Sequence, residues 1–317
     1  MPLIGHEAAW AAWHDAQADA RMHHAWLLAG AKGLGKMQFA LAAAADLVAS
    51  TTDPRSHPDI HILERLPKDE KEEKKRAEGK PFETKRNIPV AQIRSMQRRL
   101  ETRPTLGDRR AIVIDAADDL EKGASNALLK SLEEPPAGTI FFLVSHNAAR
   151  LLPTIRSRCR VLRFRSVPAT ELRQLLAREA ADANSETIEA AMIAAAGSPG
   201  AALDFVRKDL GSVYMAMKQI VEQGDPDSTR REAMIARIGA RPDREKIGAT
   251  LELACAVLAG EVPNADSSSL AAIHAAYRQV VALAEQAPTY NFDAALLLAR
   301  LGDLLASASP HRDRVDV

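Results

Sequence analysis

At 317 residues the chain is long for one compact core, so two or three domains are expected. Apolar residues make up 46% and charged residues 26%, which excludes a disordered chain, and a formal net charge of +0 excludes a global field pulling it onto DNA or anionic membrane. Two cysteines, Cys159 and Cys255, are too few for a disulfide framework or a four-cysteine zinc site, so no metal centre is predicted and a reducing cytoplasm is the expected compartment.

Met1 to Glu7 lacks the basic and apolar regions of a signal peptide, and no apolar run approaches the ~18 residues that span a bilayer. Ala8, Ala9, Ala12, Trp13 and Ala16 recur at helical spacing. His24 to Gly30 is a short apolar run ending in glycine, a buried strand, and Gly33 to Ser50 opens an alanine-rich helix. Pro67 to Arg86 is dense in Lys and Glu and nearly free of apolar residues, which predicts a solvated excursion or mobile loop. Ala111 to Asp115 and Ile140 to Ser145 are further strands, and between them Lys122 to Glu134 is an amphipathic helix that stops at Pro135-Pro136. Strands alternating with helices predict a covered parallel sheet.

After Val167-Pro168 the strand signals vanish. Helices are predicted at about 169–182, 185–196 and 199–208, the last with Ser198 as N-cap and Pro199 in its first turn. Gly211, Gly224-Asp225-Pro226 and Pro263 punctuate a second helical block. Asn291 is the predicted N-cap of a final helix carrying Leu296, Leu297, Leu298, Leu301 and Leu304, and Pro310 to Val317 reads as a frayed end. That leucine face exceeds what a small domain needs to cover itself, so it is expected to pack against partner subunits.

Gly30-Ala31-Lys32-Gly33-Leu34-Gly35-Lys36-Met37 fits the phosphate-binding loop G-x-x-x-x-G-K-[ST] at every position but the last. Gly30, Gly33 and Gly35 would let backbone amides surround phosphate oxygens, and Lys36 would neutralise them. Met37 replaces the hydroxyl that holds Mg²⁺, and a thioether is a poor ligand for a hard cation. A ligand-free glycine turn is the competing explanation. Ile112 to Asp118 resembles a Walker B strand with Asp115 at the carboxylate position, but Ala116 stands where a water-orienting Glu belongs. Two losses in one site point to a retired catalyst.

Ser125-Asn-Ala-Leu-Leu-Lys-Ser-Leu-Glu-Glu-Pro-Pro136, together with Leu152-Pro-Thr-Ile-Arg-Ser-Arg-Cys159, resembles the AAA+ clamp-loader family, and within it the delta-prime branch of bacterial DNA polymerase III. The resemblance runs from about His6 to Gly200, including His57-Pro58-Asp59 and Gly197 to Gly200. It implies an α/β P-loop (AAA+) domain over 1–166, an all-α lid over 167–209 and an all-α C-terminal oligomerisation (collar) domain over 210–317. It also implies a ring-like pentamer that opens the sliding clamp and places it on primed DNA. This chain would be a stator in the DNA polymerase III holoenzyme. Its partners would be the gamma/tau ATPase and delta subunits, the sliding clamp and, as part of the complex, primer-template DNA; no membrane is involved. Arg158, the arginine of Ser-Arg-Cys, would act in trans on a neighbour's ATP; a surface arginine is the alternative, beside Arg150, Arg156, Arg160, Arg163 and Arg165. No cofactor is required, and any ATP binding would be weak or vestigial.

Departures from the family are informative. The four-cysteine module that often follows the P-loop helix is missing, and the alternating His57, Asp59 and His61 lack a fourth ligand, which favours a structural role. Ala201 stands where active relatives carry a nucleotide-sensing arginine, while Ser145 or His146 occupies the polar sensor position. A catalytically active ATPase of the gamma/tau type stays open as an alternative, whereas zero net charge and the absence of a basic aromatic groove argue against a primary DNA-binding module.

Overall fold

The apolar runs around residues 25, 112 and 142 are too continuous for a sheet with one wet face, and each becomes a strand covered on both sides. The computed structural model describes residues 5–19, 22–239, 242–287 and 293–310. The chain divides into two compact units, Met1–Ser166 and Val167–Val317. The first unit runs α1 (Glu7–Ala18), β1 (Ala25–Ala29), α2 (Lys36–Leu47), β2 (Ile60–Glu64), α3 (Glu70–Ala77), α4 (Val90–Leu100), β3 (Arg110–Asp115), α5 (Lys122–Glu133), β4 (Thr139–Ser145), α6 (Pro153–Arg156) and β5 (Arg160–Arg163).

The strands form a parallel sheet in the order β2-β3-β4-β1-β5. Side chains alternate between its faces, so each strand feeds two cores. Trp26, Leu28, Phe142 and Val144 join Trp13 of α1 and Phe39 of α2 on one face. Leu27, Phe141 and Leu143 join Ile93 of α4 and Leu128 of α5 on the other. The few aromatic rings are concentrated here: Trp13 lies 5.6 Å from Trp26 and 5.1 Å from Phe142, centroid to centroid.

The charged stretch from Pro67 to Arg86 is a solvated excursion, as expected, but it holds a helix in place of a mobile loop. The Asp69 carboxylate caps α3 by accepting from the Glu72 amide at 3.0 Å. Glu70, Glu72 and Glu73 lie in the first turn of α3 and Lys74, Lys75 and Arg76 in its last, matching the helix dipole despite Lys71. Buried Glu72 accepts from Lys75 Nζ at 2.7 Å and from the Glu83 amide at 2.6 Å, and Pro67 bridges Thr84. Charge order and capping, not apolar burial, fold this segment.

The second unit is helical throughout its described residues: α7 (Ala169–Glu179), α8 (Ser185–Ala195), α9 (Pro199–Arg207), α10 (Gly211–Gln223), α11 (Thr229–Ile238), α12 (Arg244–Glu261), α13 (Ser267–Gln286) and α14 (Ala294–Ser307). Ser198 caps α9 through the Ala201 amide at 3.3 Å, with Pro199 in the first turn. Helix α8 packs on α9, α10 and α12, so packing runs across residue 210. Asp293 caps α14; Asn291 and residues 311–317 lie outside the described residues. Leu297, Leu298, Leu301, Leu304 and Leu305 are buried within the unit, and Leu296 is 73% exposed. Most of the leucine face expected to meet partner subunits is therefore covered by the unit itself. Arg231 of α11 ties this helix down, pairing with buried Asp225 at 2.7 Å and with Asp303.

Candidate functional site

In a parallel sheet the loops after the strand C-termini converge where strand order switches, here around β1 and β4. Gly30 follows β1, and a Cβ there would meet the Phe164 carbonyl oxygen at 2.4 Å, so the backbone approach demands glycine. Gly33 and Gly35 adopt φ of +80° and +78°, and Gly35 is the left-handed N-cap of α2. Lys36, the next residue, is buried. Its Nζ donates to the carbonyls of Gly30 at 2.7 Å and Ala31 at 2.5 Å, so the ammonium fills the loop it would otherwise lend to a phosphate. Burial lowers the Lys36 pKa from 10.5 to about 8, partly offset by Asp115 and Asp118.

That shift has a measurable sign. Below about 8 the folded chain carries a buried cation at a penalty; between about 8 and 10.5 the unfolded chain holds the proton more tightly. Stability relative to Lys36→Met is expected to rise with pH through this window. Equilibrium denaturation across it checks the claim, and a pH-independent difference would contradict it.

Asp115 ends β3 beside this loop; burial raises its pKa, helped by the Glu64 charge and opposed by Lys36. Asp118, which carries no role in the motif reading, is the organising carboxylate. It accepts from Ser145 Oγ at 2.9 Å and from the amides of His146 at 2.6 Å and Asn147 at 3.2 Å. The Ser145 carbonyl in turn accepts from the Gly30 amide at 3.3 Å, which closes a chain from β3 through β4 to the loop. An aspartate three residues beyond Asp115 was the only available signal for it. His146, which follows β4, is held near a pKa of about 4 by burial and then by the Lys36 charge, hence neutral.

The donor set does not fit Mg²⁺-nucleotide. Met37 packs against the apolar core and Ala116 is a methyl group, so neither supplies the hydroxyl or carboxylate that a Mg²⁺-nucleotide site needs. The fold gathers Gly30, Gly33, Gly35, Lys36 and Asp115 at one end of the sheet.

Arg158 is elsewhere. It lies between α6 and β5, and β5 runs parallel to β1 with Arg160 opposite Trp26 near the start of β1. Arg158 therefore sits at the N-terminal end of the sheet, while the glycine loop leaves its C-terminal end. Five strand residues, about 16 Å, separate the two ends. The Arg158 side chain is 34% exposed; Nη1 donates to the Thr154 carbonyl at 2.9 Å, and Nη2 lies 2.6 Å from Glu133 Oε1. Neighbouring Cys159 is buried and its thiol is pushed up to about 12 by desolvation, so it is inert.

His57, Asp59 and His61 do not converge, and the described residues contain no His/Cys/Asp/Glu group placed to hold a metal. Asp59 instead turns inward, accepting from the Thr105 amide at 2.6 Å and the Leu106 amide at 2.8 Å.

The family described as DNA polymerase III, delta subunit matches residues 5–168. DNA polymerase III subunit delta' of Pseudomonas aeruginosa is 31% identical over 233 residues, 67% of this chain and 66% of that protein. The Escherichia coli K12 protein of the same name is 38% identical over 129 residues, 41% of this chain and 38% of its own. The aligned stretches thus span two thirds or less of those relatives' lengths. A DNA polymerase III gamma subunit-related protein from Thermotoga maritima shares the fold, with a TM-score of 0.50 at 16% identity over 94% of this chain and 98% of that one. The family match covers more than half of the chain, so the protein belongs to the DNA polymerase III delta-subunit family.

Proposed function

We propose that the chain is a delta-prime-like stator subunit of a replication clamp loader, one that completes a neighbour's ATP site with Arg158 and turns over no ATP itself. The observation that carries this reading is the separation of the two ends of the sheet. An arginine side chain reaches about 7 Å, well short of the chain's own phosphate loop across a sheet ~16 Å deep. Arg158 cannot reach its own loop, which supports a role on a second molecule. Lys36, folded onto its own loop, and Met37 and Ala116 support the silent half of the reading: the loop keeps a vestigial phosphate cradle without a metal-binding hydroxyl.

The partners on this reading are gamma/tau-type ATPase and delta-type subunits, the sliding clamp and primer-template DNA held by the complex, in the cytoplasm. Phosphodiester synthesis belongs to other subunits of the holoenzyme. The 167–209 segment acts as a lid and 210–317 as the oligomerisation collar, with exposed Leu296 available to a neighbour. Among the described residues no helix is long and apolar enough to cross a membrane.

Purification from native cells is expected to bring down DNA polymerase III subunits, and the isolated chain to hydrolyse ATP no faster than Lys36→Ala. Turnover that Lys36→Ala abolishes would instead favour the active gamma/tau-type reading.

A further inference from the structure

Glu133 is the last residue of α5, where the helix gathers partial negative charge, so a carboxylate there is electrostatically misplaced on its own. Arg158 compensates it: Nη2 lies 2.6 Å from Oε1, while Nη1 is held by the Thr154 carbonyl at 2.9 Å. Both ends of the pair rest on fixed elements. Ala124, Leu128 and Leu132 anchor α5 in the core, and buried Ile155 anchors α6.

The consequence is chemical. A guanidinium already paired with a carboxylate has much of its charge cancelled, and charge is what a phosphoryl transition state draws on. With side chains 34% and 49% exposed, the pair is weak enough for a competing anion to displace. A triphosphate carries more charge than a carboxylate and accepts the guanidinium fork through two oxygens.

We propose that Glu133 is a positioning residue that parks Arg158 between loading cycles and yields it when a neighbour's triphosphate arrives. No bond is made or broken in this exchange; one anion replaces another on the same guanidinium. The inference rests on the arginine-finger reading of Arg158.

The test uses the reconstituted complex with Glu133→Gln, which keeps the shape and removes the charge. ATP turnover without clamp and DNA is expected to rise about two- to fivefold, the range an exposed pair can supply. The ratio to wild type should fall toward one as salt screens the pair. In an Arg158→Ala background, Glu133→Gln should change nothing. A rise that persists in that background, a ratio indifferent to salt, or no rise at all would overturn the parking role. If Arg158→Ala alone leaves both ATPase and clamp loading at wild-type values, the finger reading itself fails and the parking role falls with it.

Discussion

In a reconstituted clamp loader, Arg158→Ala is expected to lower clamp loading at least about tenfold and to lower DNA-stimulated ATP hydrolysis only in part. Phosphoryl transfer builds charge on equatorial oxygens, and an arginine delivered in trans stabilises it by on the order of 10³-fold at the site it serves. On the proposed function the neighbouring ATPase subunits have sites that Arg158 does not serve, so total hydrolysis is expected to fall by roughly one site's share and loading to fall further. Arg158→Lys should be nearly as defective, because an ammonium cannot copy the planar two-donor fork. Assembly should be normal: the side chain is half-buried, and its polar partners are the Thr154 carbonyl and Glu133. Measuring hydrolysis and loading on the same assembled complex separates this outcome from a folding defect.

Asp59→Ala should produce the largest loss of stability. The carboxylate is 1% exposed and holds the α4–β3 connection through the Thr105 and Leu106 amides. Arg110, 3% exposed, lies 4.0 Å away and clamps the carbonyls of Arg99 and Arg103 at 2.7 and 2.8 Å, closing the end of α4. Removing Asp59 leaves two amides without an acceptor and takes from buried Arg110 the carboxylate 4.0 Å away, which costs about 3–5 kcal/mol. Urea denaturation checks the value; a loss below about 1 kcal/mol would show that water replaces the carboxylate. Burial alone would raise the Asp59 pKa, but the Thr105 and Leu106 bonds and the Arg110 charge outweigh it and hold it below its ordinary value. Its stabilisation is therefore present above the ordinary carboxylate pKa of about 3.9 and lost as pH falls through the lower folded value. The mutant should lack that acid-side loss.

Much of the first unit was legible because its code is local. Strand-length apolar runs at β1, β3 and β4, the glycines before α2 and the prolines after α5 each specify geometry within a few residues. Ser198-Pro199 at the start of α9 is of the same kind. Asp118 was not legible, because its three partners lie 27 to 29 residues away and only β3–β4 pairing brings them within reach. The helix inside the Pro67 to Arg86 excursion was not legible for a related reason. Its helix depends on Glu72 meeting the Glu83 amide, a contact that composition cannot reveal.

Residue identity alone decides the chemistry that Met37 and Ala116 withhold, since no fold can give a thioether or a methyl group the properties of a hydroxyl or a carboxylate. The motifs at 125–136 and 152–159 likewise carry the family resemblance with no reference to structure. Only the tertiary structure decides where those groups lie. Parallel pairing of β5 with β1 sends the glycine loop and Arg158 to opposite ends of one sheet. The same packing lays Arg158 against Glu133, 25 residues earlier in the chain, and folds Lys36 onto its own loop. Distances across a sheet depend on strand order and direction, and neither is written in any short stretch of sequence.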